Sequence, residues 1–467
     1  MTATADPDKV QDNAQSLPVT AELPRRVGFW GAISVMVGIV IGSGIFATPT
    51  TIARNMGSPT LILALWVVGG LIALCGALTF AELNALLPRT GGTYVFLREG
   101  FGPCPAFVFG WTYLLIAKPS AAGAITSVFS THFQSLTGLN WSAPLLTCVV
   151  LFILTVINVL GVRGSARFAI ALTGLKYAAI GAIILLGIFA AGRELVGGQS
   201  MASHFAASEA PRTFFHAIVP VMAGIMWTYD GWADVSSIAG EIENPQRTLP
   251  RVYAIGTIAV IALYVLANAV YLWHLPLADM RQTETVAPML VTRLAGPTAM
   301  SAVTLLIILS TLGSSHGGVM TGARVTFAQA QDGLLFRFLG KVSPRYQTPA
   351  VSLWTEYVLS CAMILFLKDF QSLAESFVFT IWIFYGMAAI SVFILRVRLR
   401  DAHRPFRVPG YPYVPAIFIL TSATMTVLSI LEDWKITGLW LLVLSAGVPV
   451  YYVWRWLYPT PGMSAGN

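Results

Sequence analysis

Two glycine-containing runs inside hydrophobic stretches, Ile41-Gly42-Ser43-Gly44-Ile45-Phe46 and Trp227-Thr228-Tyr229-Asp230-Gly231-Trp232, place the chemistry of this chain in its backbone. Gly38, Gly42 and Gly44 crowd the first run, and glycine both weakens a helix and lets the main chain approach a ligand closely. A helix ending near Ile41 leaves orphan carbonyls, which suit an ammonium. One restarting at Ser43 to Phe46 presents orphan N–H groups and a positive dipole end, which suit a carboxylate. Together they read the two main-chain charges of a small zwitterion without a charged side chain. The amine would also meet carbonyls near Trp227 and Thr228. Gly38 and Gly42 equally fit the small-residue spacing that lets two membrane helices pack closely. A second break five segments later favours a ligand site between two inverted five-helix repeats.

Three ionisable side chains stand near these runs. Lys176 lies mid-segment between Gly174-Leu175 and Tyr177-Ala178-Ala179, and an ionisable group at membrane depth is a functional candidate by default. Without an acidic neighbour it would release its proton readily; carbonyls and hydroxyls around it would instead hold the charge in place. Lys118 precedes Pro119 in the third segment, where a structural charge pair is favoured over direct ligand contact. Asp230 sits at the second break. Facing the cavity, it would select a cationic side chain or take part in proton coupling. Facing away, it would cap the restarting helix, and capping is the favoured reading. Glu241, Glu243, Arg247 and Arg324 alternate in sign near the ends of the sixth and eighth segments, as an inner gate or as interfacial anchors.

Other chemistries lack their residues. Cys75, Cys104, Cys148 and Cys361 have no paired spacing, so neither a disulfide frame nor a metal site is indicated. His216 and His316, each alone in a helix, read as hydrogen-bonded core residues. Nothing assembles a nucleophile, base and orienting group, so no enzyme, catalytic residue, cofactor or metal is expected. A channel would need a continuous polar pore, whereas matched breaks point to alternating access.

The elements that position these groups are membrane helices. The chain is 56% hydrophobic and 10% charged over 467 residues, and about 20 apolar residues span a hydrocarbon core. The expected class is all-α and polytopic, with twelve transmembrane segments near 29–54, 60–87, 104–131, 142–160, 165–191, 213–240, 252–274, 298–329, 350–367, 372–397, 413–431 and 437–457. Residues 1–26 form a polar N-terminal tail expected to be disordered, without a signal-peptide apolar stretch, and 459–467 a short C-terminal tail. With both tails cytoplasmic, nineteen Lys and Arg residues fall on inward segments against seven on outward ones, which explains the net charge of +7 by topology in a cell membrane. A nucleic-acid partner would need a basic extramembrane domain, so none is expected.

An ordered set of motifs carries a family resemblance. It comprises Gly42-Ser43-Gly44-Ile45-Phe46, Ala81-Glu82-Leu83 with Pro88-Arg89-Thr90-Gly91-Gly92-Thr93-Tyr94, Lys118-Pro119-Ser120, Tyr229-Asp230-Gly231-Trp232 and Glu241-Ile242-Glu243-Asn244-Pro245-Gln246-Arg247-Thr248-Leu249-Pro250, then Gly322-Ala323-Arg324 through Gln331-Asp332-Gly333 to Thr348-Pro349. In this combination the chain resembles the amino acid, polyamine and organocation superfamily, most closely its L-type amino acid transporter branch in the form of a bacterial-type permease.

The resemblance implies a LeuT-like 5+5 inverted-repeat fold with discontinuous helices 1 and 6. The core would cover 27–400, as repeats of about 27–191 and 213–400, followed by two accessory helices over 401–458. It implies an amino acid bound among helices 1, 3, 6 and 8, by Ile41, Ser43, Gly44, Ile45, Ser120, Trp227, Thr228 and Asp230, with Trp227 as the aromatic gate. It also implies that Lys176 takes the place of a sodium ion beside Gly38, Ser310 and Ser314; the two serines, four apart, share one helix face. Sodium-independent transport of L-amino acids, neutral ahead of cationic, by exchange or proton symport is the expected activity. The alternatives are a cationic amino acid or polyamine carrier using Asp230, and sodium-coupled symport. In this branch a cysteine in the loop after helix 3 tethers a heavy subunit; residues 132–141 contain none, so no disulfide-linked heavy subunit is expected.

Overall fold

Helix signals at the segment ends explain where the chain turns. Ser58 precedes Pro59 and its hydroxyl accepts from the Leu61 N–H at 3.4 Å, starting a 28-residue helix. At 1.5 Å per residue such a helix is about 42 Å long. Asp369 and Asp433 accept from the N–H groups of Ser372 and of Lys435 and Ile436 at two later starts, giving those orphan donors partners.

The computed structural model describes residues 23, 25–196, 213–283 and 285–458; the expected tails 1–26 and 459–467 fall almost wholly outside them. The helices are α1 (Phe29–Val40), α2 (Gly44–Asn55), α3 (Pro59–Leu86), α4 (Thr93–Phe101), α5 (Pro103–Thr112), α6 (Lys118–Thr137), α7 (Ala143–Leu160), α8 (Val162–Val196) and α9 (Phe214–Tyr229). They continue with α10 (Pro245–His274), α11 (Leu277–Met280), α12 (Val286–Ala295), α13 (Pro297–Gln331), α14 (Ala350–Leu367), α15 (Phe370–Arg398), α16 (Tyr413–Glu432) and α17 (Trp434–Leu457). A π-helical stretch, Tyr113–Ala117, joins α5 to α6, and a 3-10 helix, Trp232–Glu241, follows α9.

The all-α polytopic class holds, and ten of the twelve expected segments are long and apolar enough to cross a membrane. The first of the ten contains the gap between α1 and α2; the remaining two segments are the third, which runs α5, π-stretch, α6, and the sixth, the 16-residue α9 followed by the 3-10 helix. Large apolar side chains such as Leu185, Phe189 and Leu442 are exposed, as a lipid-facing surface requires, while Trp30, Trp434 and Trp456 stand exposed at span ends where amphipathic rings favour the interface.

One apolar core runs through the bundle and brings α1, α2, α3, α9, α10 and α15 together. It also places the two backbone breaks against each other. Gly231 takes φ 107° between α9 and the 3-10 helix, a region that disfavours any side chain. A Cβ there would lie 2.7 Å from Ile39 Cγ2 and 3.1 Å from the Val40 amide.

Ion pairs stitch the end of the bundle where α1 begins. Arg324 donates from Nε and Nη2 to Glu241 at 2.9 and 3.3 Å, both residues buried, so it is a closed pair and not an interfacial anchor. Glu82 receives Arg396 at 2.8 and 2.6 Å and the Val408 N–H at 2.7 Å. Asp332 takes Arg98 and the Tyr94 hydroxyl. Several charged residues of the family-like motifs are thus pairing partners at this end.

Candidate functional site

The first break is a three-residue gap, Ile41 to Ser43, between α1 and α2. Gly42 N–H reaches the Val40 carbonyl at 2.8 Å, and the restart makes its first bond from Phe46 N–H to the Ser43 carbonyl at 3.1 Å. The amides of Ser43, Gly44 and Ile45 therefore come before the first intrahelical bond, where a helix has no partner of its own to offer. Ser43 Oγ is buried with no hydrogen-bond partner among the described residues. Gly44 is the point of closest approach: a Cβ would sit 2.7 Å from Thr228 Oγ1 and 2.9 Å from its Cα.

The carbonyl side of this break is occupied by the protein itself. Lys176 on α8 donates to the Gly38 carbonyl at 2.6 Å, the Ile41 carbonyl at 2.8 Å and the Ser314 hydroxyl at 2.7 Å. These account for all three N–H donors of an ammonium. Ser314 also donates toward Gly38 and Ile41, and Ser310 toward Ile41 at 3.2 Å. Lys176 is buried and does not reach an interface. The arrangement ties α1, α8 and α13 together at the gap without an acid, as the resemblance implied. It also changes the expected role of Ile41: its carbonyl already receives three donors, so it is not free for a ligand's amine.

The second break begins where α9 stops at Tyr229. The Asp230 N–H turns back to the Trp227 carbonyl at 3.2 Å, and Gly231 holds the N-cap of the 3-10 helix with no side-chain cap bond. The expected capping by Asp230 is not what the structure has. Instead Asp230 Oδ1 is buried without a partner and the residue lines the cavity. The reason is local: glycine's left-handed turn already redirects the chain. The Thr228 hydroxyl lies 2.7 Å from both the Thr48 hydroxyl and the Gly224 carbonyl, linking the far halves of the two broken segments.

Between the breaks lies a chamber of about 40 Å³, room for about three waters. Of the expected ligand residues, Ser43, Gly44, Trp227, Thr228 and Asp230 line it; Ile41, Ile45 and Ser120 do not. The π-stretch before Pro119 explains Ser120. Lys118, Ala121, Ala122 and Ile125 line the chamber with helical i, i+3, i+4, i+7 spacing, and Ser120 lies off that stripe, its hydroxyl buried and unpaired. Pro119 has no N–H to give the preceding turn, and the wider turn is a common feature of functional sites.

Among the lining residues that were not legible as site residues, Asp234 and Phe377 stand out. Asp234 takes Lys118 Nζ at 3.0 and 3.1 Å, which makes the structural charge pair expected for Lys118; its signal was its position four residues after Asp230, one helical turn on. Phe377 came with no signal. It meets Trp227 edge to face at a 5.5 Å centroid distance, as Phe370 does at 6.0 Å.

Trp227 also lines a second, larger cavity of about 560 Å³ bounded by Thr48, Arg54, Pro220, Glu375 and Glu432. This vestibule lies at the end of the bundle opposite the start of α1. The indole therefore stands between a wide opening and the small chamber, the position of a lid. Of the two histidines, His316 is a core residue bonded to Asn158, and His216 is exposed, contrary to expectation.

A family model described as amino acid permease matches residues 27–450. The human cystine/glutamate transporter is 33% identical over 437 residues, covering 92% of this chain and 85% of that protein. The b(0,+)-type amino acid transporter 1 of Mus musculus is 31% identical over 449 residues, covering 94% and 90%. The serine/threonine exchanger SteT of Bacillus subtilis (strain 168) is 31% identical over 440 residues, covering 92% and 97%.

Proposed function

The chain belongs to the amino acid permease family, and on that premise we propose that it carries L-amino acids across the cell membrane by alternating access, without sodium, its two inverted halves of about 27–191 and 213–400 closing in turn around the chamber. The observation that carries the reading is the opposed pair of breaks. Ser43 and Gly44, whose amides precede the first intrahelical bond of α2, line a space whose other wall is Asp230 and the end of α9. A substrate carboxylate binds the first, and its amine the second. Lys176 supplies the fixed positive charge at the gap that a bound cation would otherwise supply, which supports sodium independence.

In this reading both termini are cytoplasmic, so the vestibule beside Trp227 opens outward and the Arg324–Glu241 pair seals the inside. The names of the relatives span cystine and glutamate, serine and threonine, and the b(0,+) class. They support an amino acid substrate and leave the side chain to the pocket. Neutral amino acids are the first reading; the Asp230 oxygen left without a hydrogen-bond partner favours, as the second, a cationic side chain. With no cysteine in 132–141, the carrier works without a disulfide-linked heavy subunit, and its chemistry is translocation rather than catalysis.

The test is counterflow in sodium-free proteoliposomes. Vesicles loaded with an unlabelled L-amino acid take up the labelled one transiently above equilibrium if the protein is a carrier. Absence of counterflow for all twenty amino acids, in a preparation that stays folded and monodisperse, refutes the proposal.

A further inference from the structure

One buried acid takes no part in the site described so far. Glu356 on α14 is 3% exposed, and neither carboxylate oxygen has a hydrogen-bond partner among the described residues. It faces Lys118 across Gly322 of α13: a Cβ on that glycine would lie 2.5 and 2.7 Å from the two Glu356 oxygens and 2.6 Å from Lys118 Cγ. The glycine leaves the acid and the lysine stem in direct view of each other.

Both nearby cations are already committed. Lys118 gives two N–H groups to Asp234 and its third to the Thr321 hydroxyl at 3.4 Å. Arg324 gives Nε and Nη2 to Glu241 and Nη1 to the Met320 carbonyl at 2.7 Å. The groups facing Glu356 are thus Lys118 and Tyr113 from the third segment, Asp234 from the 3-10 half of the sixth and Arg324 from the eighth. From the other elements packed on α14, Cys148 of α7 turns to Cys361, while Arg337 and Glu375 are exposed. Three carboxylates stand around Lys118: Asp234 in its ion pair, Asp230 on the chamber wall and Glu356 across Gly322. An ionised carboxylate buried with neither a counter-charge nor a donor is expensive. A proton on Glu356 removes that cost.

We infer that Glu356 is a proton-binding site beneath the substrate chamber, and that Lys118, shared between Asp234 and Glu356, couples its proton to transport; the inference rests on the transport reading above. Asp234 belongs to the 3-10 half of the broken sixth segment, which in this mechanism shifts relative to α6 and α14. In the state described, Lys118 holds Asp234 and Glu356 carries the proton on a carboxyl oxygen, taken from water on the vestibule side. When the 3-10 half moves away, the ammonium turns to Glu356. The O–H bond then breaks and the proton leaves to water on the other side. The motion that opens the chamber inward is the same one that discharges the acid.

The experiment reads a ratio: uptake of labelled L-serine, L-leucine or L-arginine into sodium-free, potassium-clamped proteoliposomes with the bath one pH unit more acid than the lumen, divided by uptake at equal pH. With one proton per substrate the wild-type ratio approaches about tenfold, the factor one pH unit supplies, and it falls to one in Glu356→Gln while Glu356→Asp keeps a ratio above one. A second readout needs no transport. Adding the same amino acid to purified protein in lightly buffered detergent changes the pH in wild type and not in Glu356→Gln. Wild-type counterflow with a ratio of one overturns the proton site and leaves the transport reading standing, as does an unchanged ratio or equal pH change in Glu356→Gln, or a ratio that follows sodium instead of protons. Absence of wild-type counterflow with every amino acid overturns the transport reading itself.

Discussion

The two breaks are built from similar residues and solve opposite problems. At the first, the carbonyls left over at the end of α1 are consumed by Lys176, Ser310 and Ser314, and the amides at the start of α2 are left open. At the second, the main chain closes on itself through the Asp230 N–H, and what remains open is a carboxylate oxygen. One break therefore presents positive poles to the chamber and the other a negative one. The contrast teaches that a discontinuous helix is not a symmetrical clamp. The protein fills whichever pole the ligand does not use, because an unmet polar group at membrane depth costs several kcal/mol, and the asymmetry sets which end of an amino acid goes where.

The contrast breaks most completely at Gly44. Because a Cβ there meets the Thr228 backbone at 2.9 Å, Gly44→Ala should push the breaks apart and cut counterflow by about a hundredfold or more, with the protein still extractable from the membrane as a monodisperse species; such losses follow from small misplacements in a packed site. Transport near the wild-type rate in that variant would mean the breaks do not form the site.

Lys176→Ala removes the cation that satisfies the first break. With hydrogen bonds to a charged group worth about 1.5–3 kcal/mol each, uptake should drop by at least about tenfold, and added sodium should restore part of it if the ammonium stands in for an ion. Full activity without sodium would show the carbonyl pole needs no filling.

Asp230→Asn tests the second break more finely. Exchange of neutral and cationic amino acids should both weaken by about tenfold, the lower range for a charge-assisted contact, since both present an α-ammonium. A loss confined to cationic amino acids would assign the acid to the side-chain pocket instead. Ser120→Ala is the smallest change, within about twofold in rate and about 0.5 kcal/mol in stability, since its hydroxyl is unpaired and off the lining stripe. A large loss there would mean the chamber extends further along α6 than its walls indicate.

How far the site could be read in advance differs residue by residue. Gly42, Ser43 and Gly44 announced themselves because glycine spacing in an apolar stretch is a local signal, and Lys176 because an ammonium at that depth needs an explanation. Ile41 was assigned to the ligand on the same local logic, and failed: whether its carbonyl is free depends on α8 and α13, more than a hundred residues away. Asp230 failed similarly as a cap, since Gly231 had already made the turn. Ser120 was carried by motif position, and the π-stretch before it rotated the lining stripe elsewhere.

Segment lengths and the places where helices stop follow from the order of side chains alone, because apolar length and glycine or proline content act over a few neighbouring residues. So does the class of the molecule. Which acid Lys118 holds, which oxygen of Asp230 is left without a partner, and that both oxygens of Glu356 are, were decided only when distant spans packed together. Those outcomes are settled by competition among donors and acceptors within about 3 Å of one another, and that proximity exists only in the folded molecule.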